Sequence, residues 1–131
     1  MDTIANLLTS IKNSSMVSKE TVEVPYSKMS EQILKLCQET GFIKSVKVFK
    51  HKDSVIKGLA VELDYYTNGK PKISEAKRVS KPGRRIYRGF SEVKDERKQF
   101  GLLIVSTSRG LMSVTEAKKK HLGGELICEI Y

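Results

Sequence analysis

Three hydroxyl side chains in a row, Ser106-Thr107-Ser108, follow the apolar run Leu102–Val105 and lead through Arg109-Gly110 into Leu111-Met112. The order reads as a buried strand, a tight turn and a second strand, with glycine where the turn needs a permissive backbone. Short hydroxyls both donate and accept hydrogen bonds without holding the main chain away from what they touch. On a chain of formal net charge +9 and pI about 9.6, the surface such a turn meets is a polyanion, and nucleic acid is the natural one.

The same hydroxyls do not read as catalytic. Ser106 or Ser108 as a nucleophile with His121 as base would require a strained nucleophile elbow, and the sequence has no such pattern. His51 and His121 are remote from each other and from both cysteines, so no metal-ligand spacing occurs. Cys37 and Cys128 each stand among apolar neighbours, which suits reduced core residues rather than a disulfide. No GxxxxGK[ST] or GxGxxG loop is present, and Gly123-Gly124 reads as a helix stop before a strand. The expectation is a protein with no catalytic residues, no metal, no cofactor and no small-molecule substrate.

A second binding signal is Arg78-Val79-Ser80-Lys81-Pro82-Gly83-Arg84-Arg85-Ile86-Tyr87-Arg88, which gathers cations around a Pro-Gly turn. Pro82 and Gly83 fix a compact exposed backbone, so Lys81, Arg84 and Arg85 meet successive phosphates at little extra entropy. Tyr87 is equally suited to stacking on a base or ribose and to packing. The charge is segregated: residues 1–70 hold ten Lys/Arg and eight Asp/Glu, net +2, whereas residues 71–131 hold fourteen and seven, net +7. All six arginines lie in the second part, and the planar guanidinium grips phosphates in a way lysine does not. Non-specific single-strand binding would need a row of exposed aromatics, and Tyr87, Phe90, Phe100 and Tyr131 are too widely spaced.

The elements that must position these groups follow from periodicity. Ile4, Leu7, Leu8 and Ile11 mark one face of a helix over residues 2–13, with Asp2 or Thr3 as cap. Thr21–Val24 reads as a strand closed by Pro25, and a helix from Ser27 or Lys28 to Thr40 buries Met29, Ile33, Leu36 and Cys37 and stops at Gly41. Alternation then predicts antiparallel strands Phe42–Lys50 and Val55–Tyr65, joined by a polar loop at 51–54. Asn68-Gly69-Lys70-Pro71 is the expected boundary between an N-terminal lobe, 1–70, and a β-rich C-terminal lobe, 71–131. In the latter, strands are predicted at Ile73–Val79, Ile86–Arg88, Leu102–Ser106, Leu111–Ser113 and Glu125–Tyr131, with short helices at 91–100 and Thr115–His121. Ser113-Val114-Thr115-Glu116 matches a capping box, and Gly123 is the expected stop. The fold class is α+β, helix–strand–helix–strand–strand followed by a mainly antiparallel sheet. No apolar run of about 18 residues and no basic-plus-apolar leader occurs, which places the chain in the cytoplasm or an equivalent compartment with no membrane partner.

RVSKPGRR, GLLIVSTSRGLM with the following TEAKK, and GGELICEIY stand in the order and spacing of the eighth protein of the bacterial-type small ribosomal subunit, and the opening helix and VEVPYSK resemble that family too. The resemblance covers nearly the whole chain. It implies two tightly associated α/β lobes, binding to a helix in the central domain of small-subunit ribosomal RNA, and a place beside neighbouring small-subunit proteins in the cytoplasm or an organellar stroma or matrix. It also implies early binding in subunit assembly, and it admits binding to the protein's own messenger RNA. By the same resemblance, the principal RNA-contacting turn is Ser106, Thr107 and Ser108, with Gly124 and Glu125 beside it and Tyr87 near the same face. Thr3, Lys12 and Asn13 would make an auxiliary contact. An A-form duplex is read through its shallow minor groove, 2′-hydroxyls, phosphates and displaced bases, which suits a small hydroxyl turn. Lys81, Arg84, Arg85 and Arg109 would supply phosphate contacts. Glu125 would accept from a base amino group, orient a neighbouring donor, or form an internal salt bridge.

Overall fold

The computed structural model describes residues 3–50, 52, 55–89 and 101–131. The expected loop at 51–54 lies mostly outside them, and the expected helix at 91–100 and the Asp2 cap lie wholly outside. The element order is α1 (Thr3–Met16), β1 (Thr21–Pro25), α2 (Lys28–Glu39), β2 (Ile43–Lys50), β3 (Lys57–Leu63), β4 (Ala76–Arg78), β5 (Tyr87–Arg88), β6 (Leu102–Thr107), β7 (Gly110–Ser113), α3 (Val114–Lys119) and β8 (Gly124–Ile130).

Helix α1 runs past the expected end at Asn13. Its apolar stripe is continued by Ser14 and Ser15, both buried. It closes where Lys19 N–H donates to the Ser14 carbonyl and Ser18 adopts φ +57°. Helix α2 starts on the Ser27 hydroxyl, which accepts the Ser30 N–H at 3.0 Å, and ends at Gly41, φ +86°, as anticipated. Its buried face is Ser30, Ile33, Leu34 and Cys37. Met29 is exposed and Leu36 only half-buried, so the expected face is rotated: the cap sets the helix so that Ser30 takes the i position of the i, i+3, i+4, i+7 set.

Strands β1, β3 and β2 form an antiparallel sheet in that order. The second sheet has the lateral order β4, β8, β6, β7, and β5 pairs with the same edge of β8 as β4. Its first strand is shorter than the expected Ile73–Val79. The N–H groups of Ser74 and Glu75 both donate to the Tyr131 carbonyl at 2.7 Å, a fork that precedes the regular ladder. Helix α3 is capped by Ser113, whose hydroxyl accepts the Glu116 N–H. It ends earlier than expected, with His121 rather than Gly123 in the left-handed conformation, φ +57°. The Leu122 N–H then returns to the Ala117 carbonyl, closing the last turn from a non-glycine residue.

The two sheets share a core. Ile33, Leu34, Leu59 and Val61 of the first lobe pack in one cluster with Leu102, Ile104, Cys128 and Ile130 of the second, beneath α1. On the far face of the second sheet, Leu103, Val105 and Leu126 pack with Val114 and Ala117 of α3. The five-stranded sheet is therefore clamped on both faces, and its end can be a rigid platform. Cys37 and Cys128 are free thiols within the shared cluster. Burial pushes both upward, Cys128 to about 12, so they stay protonated as core residues.

Candidate nucleic-acid interface

The sheet register gathers the predicted residues at one end of the second sheet. Thr107 pairs with Gly110, leaving Ser108 and Arg109 as the exposed tip of a two-residue hairpin. Gly110 supplies φ +106°, a region costly for any residue with a Cβ. The Thr107 hydroxyl donates to the Gly110 carbonyl at 2.9 Å and accepts the Arg109 N–H at 3.1 Å. Of the three hydroxyls, Thr107 thus spends its proton inside the turn and fixes the tip. Ser106 is half-buried and Ser108 exposed.

Beside this hairpin, Ser106 pairs with Glu125, and Glu125 pairs in turn with Tyr87. Gly124 lies between Arg88 and the end of β6. A Cβ added there would sit 1.9 Å from the Ser106 carbonyl oxygen and 3.2 Å from the Thr107 Cα. Only glycine lets β8 begin this close to the hydroxyl turn. Tyr87, 63% exposed, lies on the surface of β5 instead of packing in the core.

The Lys81-Pro82-Gly83-Arg84 turn is closed by reciprocal hydrogen bonds between Lys81 and Arg84, both 2.9 Å, and all four residues are exposed. Sequence reasoning missed the residue that holds it. Ser80 is completely buried; its hydroxyl accepts the Ile86 N–H at 2.9 Å and lies 3.3 Å from the Ile86 carbonyl. The N–H of Ser80 reaches the Leu126 carbonyl, and the Leu126 N–H reaches that of Ile86. The chain therefore leaves the edge of β8 at Ser80 and returns to it at Ile86, with the cations extruded between. A small hydroxyl residue before Lys-Pro-Gly was the available signal.

The charges in this region are partly spoken for. Arg85 donates to Glu125 at 3.1 Å, the internal salt bridge that was one of three roles open to that carboxylate. Arg78 donates to the Ile127 carbonyl and Arg88 to that of Tyr87, both at 3.0 Å. Lys81, Arg84 and Arg109 are exposed.

The auxiliary set lies elsewhere, on α1. Thr3 and Asn13 are exposed, and Thr3 lines a cleft of about 140 Å³ with Leu7, Val24 and Pro25. Lys12 forms a 2.7 Å ion pair with Glu75, tying α1 to the segment that enters β4. That pairing holds the Glu75 carboxyl below its ordinary value.

Among the described residues, no group of three or more His, Cys, Asp and Glu is placed to hold a metal ion, and no helix is long and apolar enough to cross a membrane. Residues 2–131 match the family model described as Ribosomal protein S8. Small ribosomal subunit protein uS8 of Nautilia profundicola is 42% identical over 130 residues, covering 99% of this chain and 98% of its relative. The uS8 of Helicobacter pylori strain Shi470 is 42% identical with the same coverage, and uS8c of Welwitschia mirabilis is 42% identical over the full length of both. A match this long, reaching from the opening helix to the last strand, means that the chain belongs to the ribosomal protein S8 family.

Proposed function

We propose that this protein is a structural component of the small ribosomal subunit that clamps a helix in the central domain of small-subunit RNA. The observation that carries this reading is the convergence on one sheet end of an exposed Ser108-Arg109 tip, a close approach at Gly124, the Tyr87 ring and the Lys81–Arg84 turn. A sheet end built of backbone and small polar groups fits the shallow minor groove of an A-form stem, where long side chains would hold the surfaces apart. Ser108 reads contour and 2′-hydroxyls, Tyr87 stacks on a displaced base or ribose, and Lys81, Arg84 and Arg109 meet phosphates. Thr107, Ser80 and the Arg85–Glu125 pair hold these groups in place. Thr3 and Asn13 supply an auxiliary contact from α1. The role is non-enzymatic; it begins early in subunit assembly and persists in the finished particle, in the cytoplasm or an organellar stroma or matrix. A messenger RNA with the same contour, including the protein's own, would occupy the same platform.

Filter binding of the full chain to the central-domain RNA and to a random duplex tests this division of labour. Ser108→Ala weakens binding to the central-domain RNA by about 1–3 kcal/mol and leaves the random duplex nearly unaffected. Equal loss on both would contradict it. Arg84→Ala weakens both and lowers the slope of log K against log salt by about one, as expected for one lost phosphate contact.

A further inference from the structure

At the end of the first sheet the molecule carries a surface of different chemistry. Val55 is 88% exposed and Ile56 71%, beside a shallow cleft of about 260 Å³ whose lining includes Pro25, Phe49, Ile56, Lys57 and Gly58. The cleft is framed by three strands: Pro25 of β1 and Phe49 of β2 both pair with Gly58 of β3. The missing Cβ at Gly58 lets the Phe49 ring lie across the strand, since an added carbon would meet that ring at 2.6 Å. Tyr26 continues the patch; its N–H reaches the Lys57 carbonyl and its ring lies 5.6 Å beneath the Lys57 ammonium.

Around this apolar floor stand exposed lysines: Lys28 at the start of α2, Lys50 opposite Lys57 in the ladder, and Lys52 beyond it. Among the described residues, the carboxylates here are Glu23, which lines the cleft, and Glu31, which is held by the Tyr26 hydroxyl and Lys35. Exposed aliphatic side chains offer nothing to a phosphate, and the arginines that suit RNA all lie in the second half of the chain. Adjacent exposed apolar residues rimmed by charge mark a protein contact.

We propose that this corner, centred on Val55, Ile56 and the Pro25–Phe49 cleft, docks an acidic, apolar-anchored segment of a neighbouring protein in the assembled small subunit. An aliphatic or aromatic anchor fills the cleft, and flanking aspartates or glutamates meet Lys28, Lys50 and Lys57. The proposal rests on the ribosomal reading above, because the partner is met only in the particle.

Val55→benzoyl-phenylalanine, a photoreactive replacement at an exposed site, tests it in small subunits reconstituted from purified RNA and proteins. Irradiation is expected to join position 55 to one small-subunit protein, at a peptide bearing at least two carboxylates beside an apolar residue. Raising salt from 50 to 500 mM in pre-formed particles should lower the yield several-fold. An adduct to RNA, an adduct to a peptide without carboxylates, or no adduct overturns the proposal. In parallel, Ile56→Ser should bind the central-domain RNA with unchanged affinity while lowering the adduct yield from position 55 at least fivefold; an undiminished yield also overturns it. Failure of the wild-type chain to bind that RNA or enter the particle at all would instead count against the ribosomal reading, so the two failures are separable.

Discussion

Two glycines separate the two sheets. At Gly124 the missing Cβ leaves room for a backbone carbonyl, that of Ser106, whereas at Gly58 it leaves room for the far end of a phenylalanine ring. A side-chain ring can swing aside, but a strand fixed by ladders along both edges cannot. The second sheet thus ends in a surface of closely spaced main chain, small hydroxyls and guanidinium groups. The first ends in exposed apolar side chains with a lysine rim. The lesson is that backbone constraint and charge type travel together: the sheet end proposed to meet RNA is the one whose glycine faces main chain.

The largest test of that contrast is substitution of both glycines. Gly124→Ala forces β8 from β6 and should cost about 3 kcal/mol or more in unfolding free energy, with RNA affinity falling at least about a hundredfold. Gly58→Ala should cost about 1 kcal/mol and leave RNA affinity unchanged, because the Phe49 ring moves. Urea unfolding and filter binding measure both, and equal effects would erase the distinction.

A smaller effect comes from two serines with local hydrogen-bonding roles. Ser80→Ala strips the Ile86 N–H of its partner in the interior and should cost about 1–3 kcal/mol. It should also weaken RNA binding, since the Lys81–Arg85 segment loses its anchor. Ser27→Ala removes the α2 cap, costs about 1 kcal/mol and leaves RNA binding as it was. A Ser80 variant that unfolds more easily yet binds RNA normally would show that the extruded cations need no anchor.

The smallest effect concerns the junction between the lobes. The Lys12 ammonium lowers the Glu75 carboxyl from its ordinary 4.5, and the Lys72 ammonium lowers the Asp64 carboxyl from 3.8. Carboxyls depressed in the folded state add stability that is full above those ordinary values and disappears as pH falls through the lowered ones. Thermal unfolding should therefore show a modest loss of Tm on acidification below about pH 4, from groups near these reference values. Lys12→Met should flatten the part due to Glu75, while the melting temperature near pH 7 drops only slightly, as befits a half-buried pair that water still reaches. A wholly unaltered acid limb in this variant would remove the pair from the junction.

Much of the fold was legible because its signals are local. The spacing of Ile4, Leu7, Leu8 and Ile11, the caps at Ser27 and Ser113, and the glycine at 41 each act within a few residues. The failures hinge on neighbours, some close in the chain and one distant. Met29 lost the buried face to Ser30 once the cap set the helix, and His121 closed α3 where Gly123 was the conventional choice. The forked bonds to Tyr131 shortened β4 from the opposite end of the chain. The hydroxyl turn, the Pro-Gly turn and the tyrosine could be named as candidates from residue type alone.

By itself, then, the sequence determined which segments become helix or strand, where the arginines lie, and which side chains have the chemistry to meet RNA. Tertiary structure decided which of those groups remain available. Arg85 is held by Glu125 from 40 residues away, Lys12 is drawn to Glu75, and Ser80 is sunk beneath a loop it anchors, its N–H on the Leu126 carbonyl. Helical periodicity is written between residues three and four apart, but the partner of a hydroxyl or a charge is fixed by strand register and lobe packing, which bring together residues that no local pattern connects.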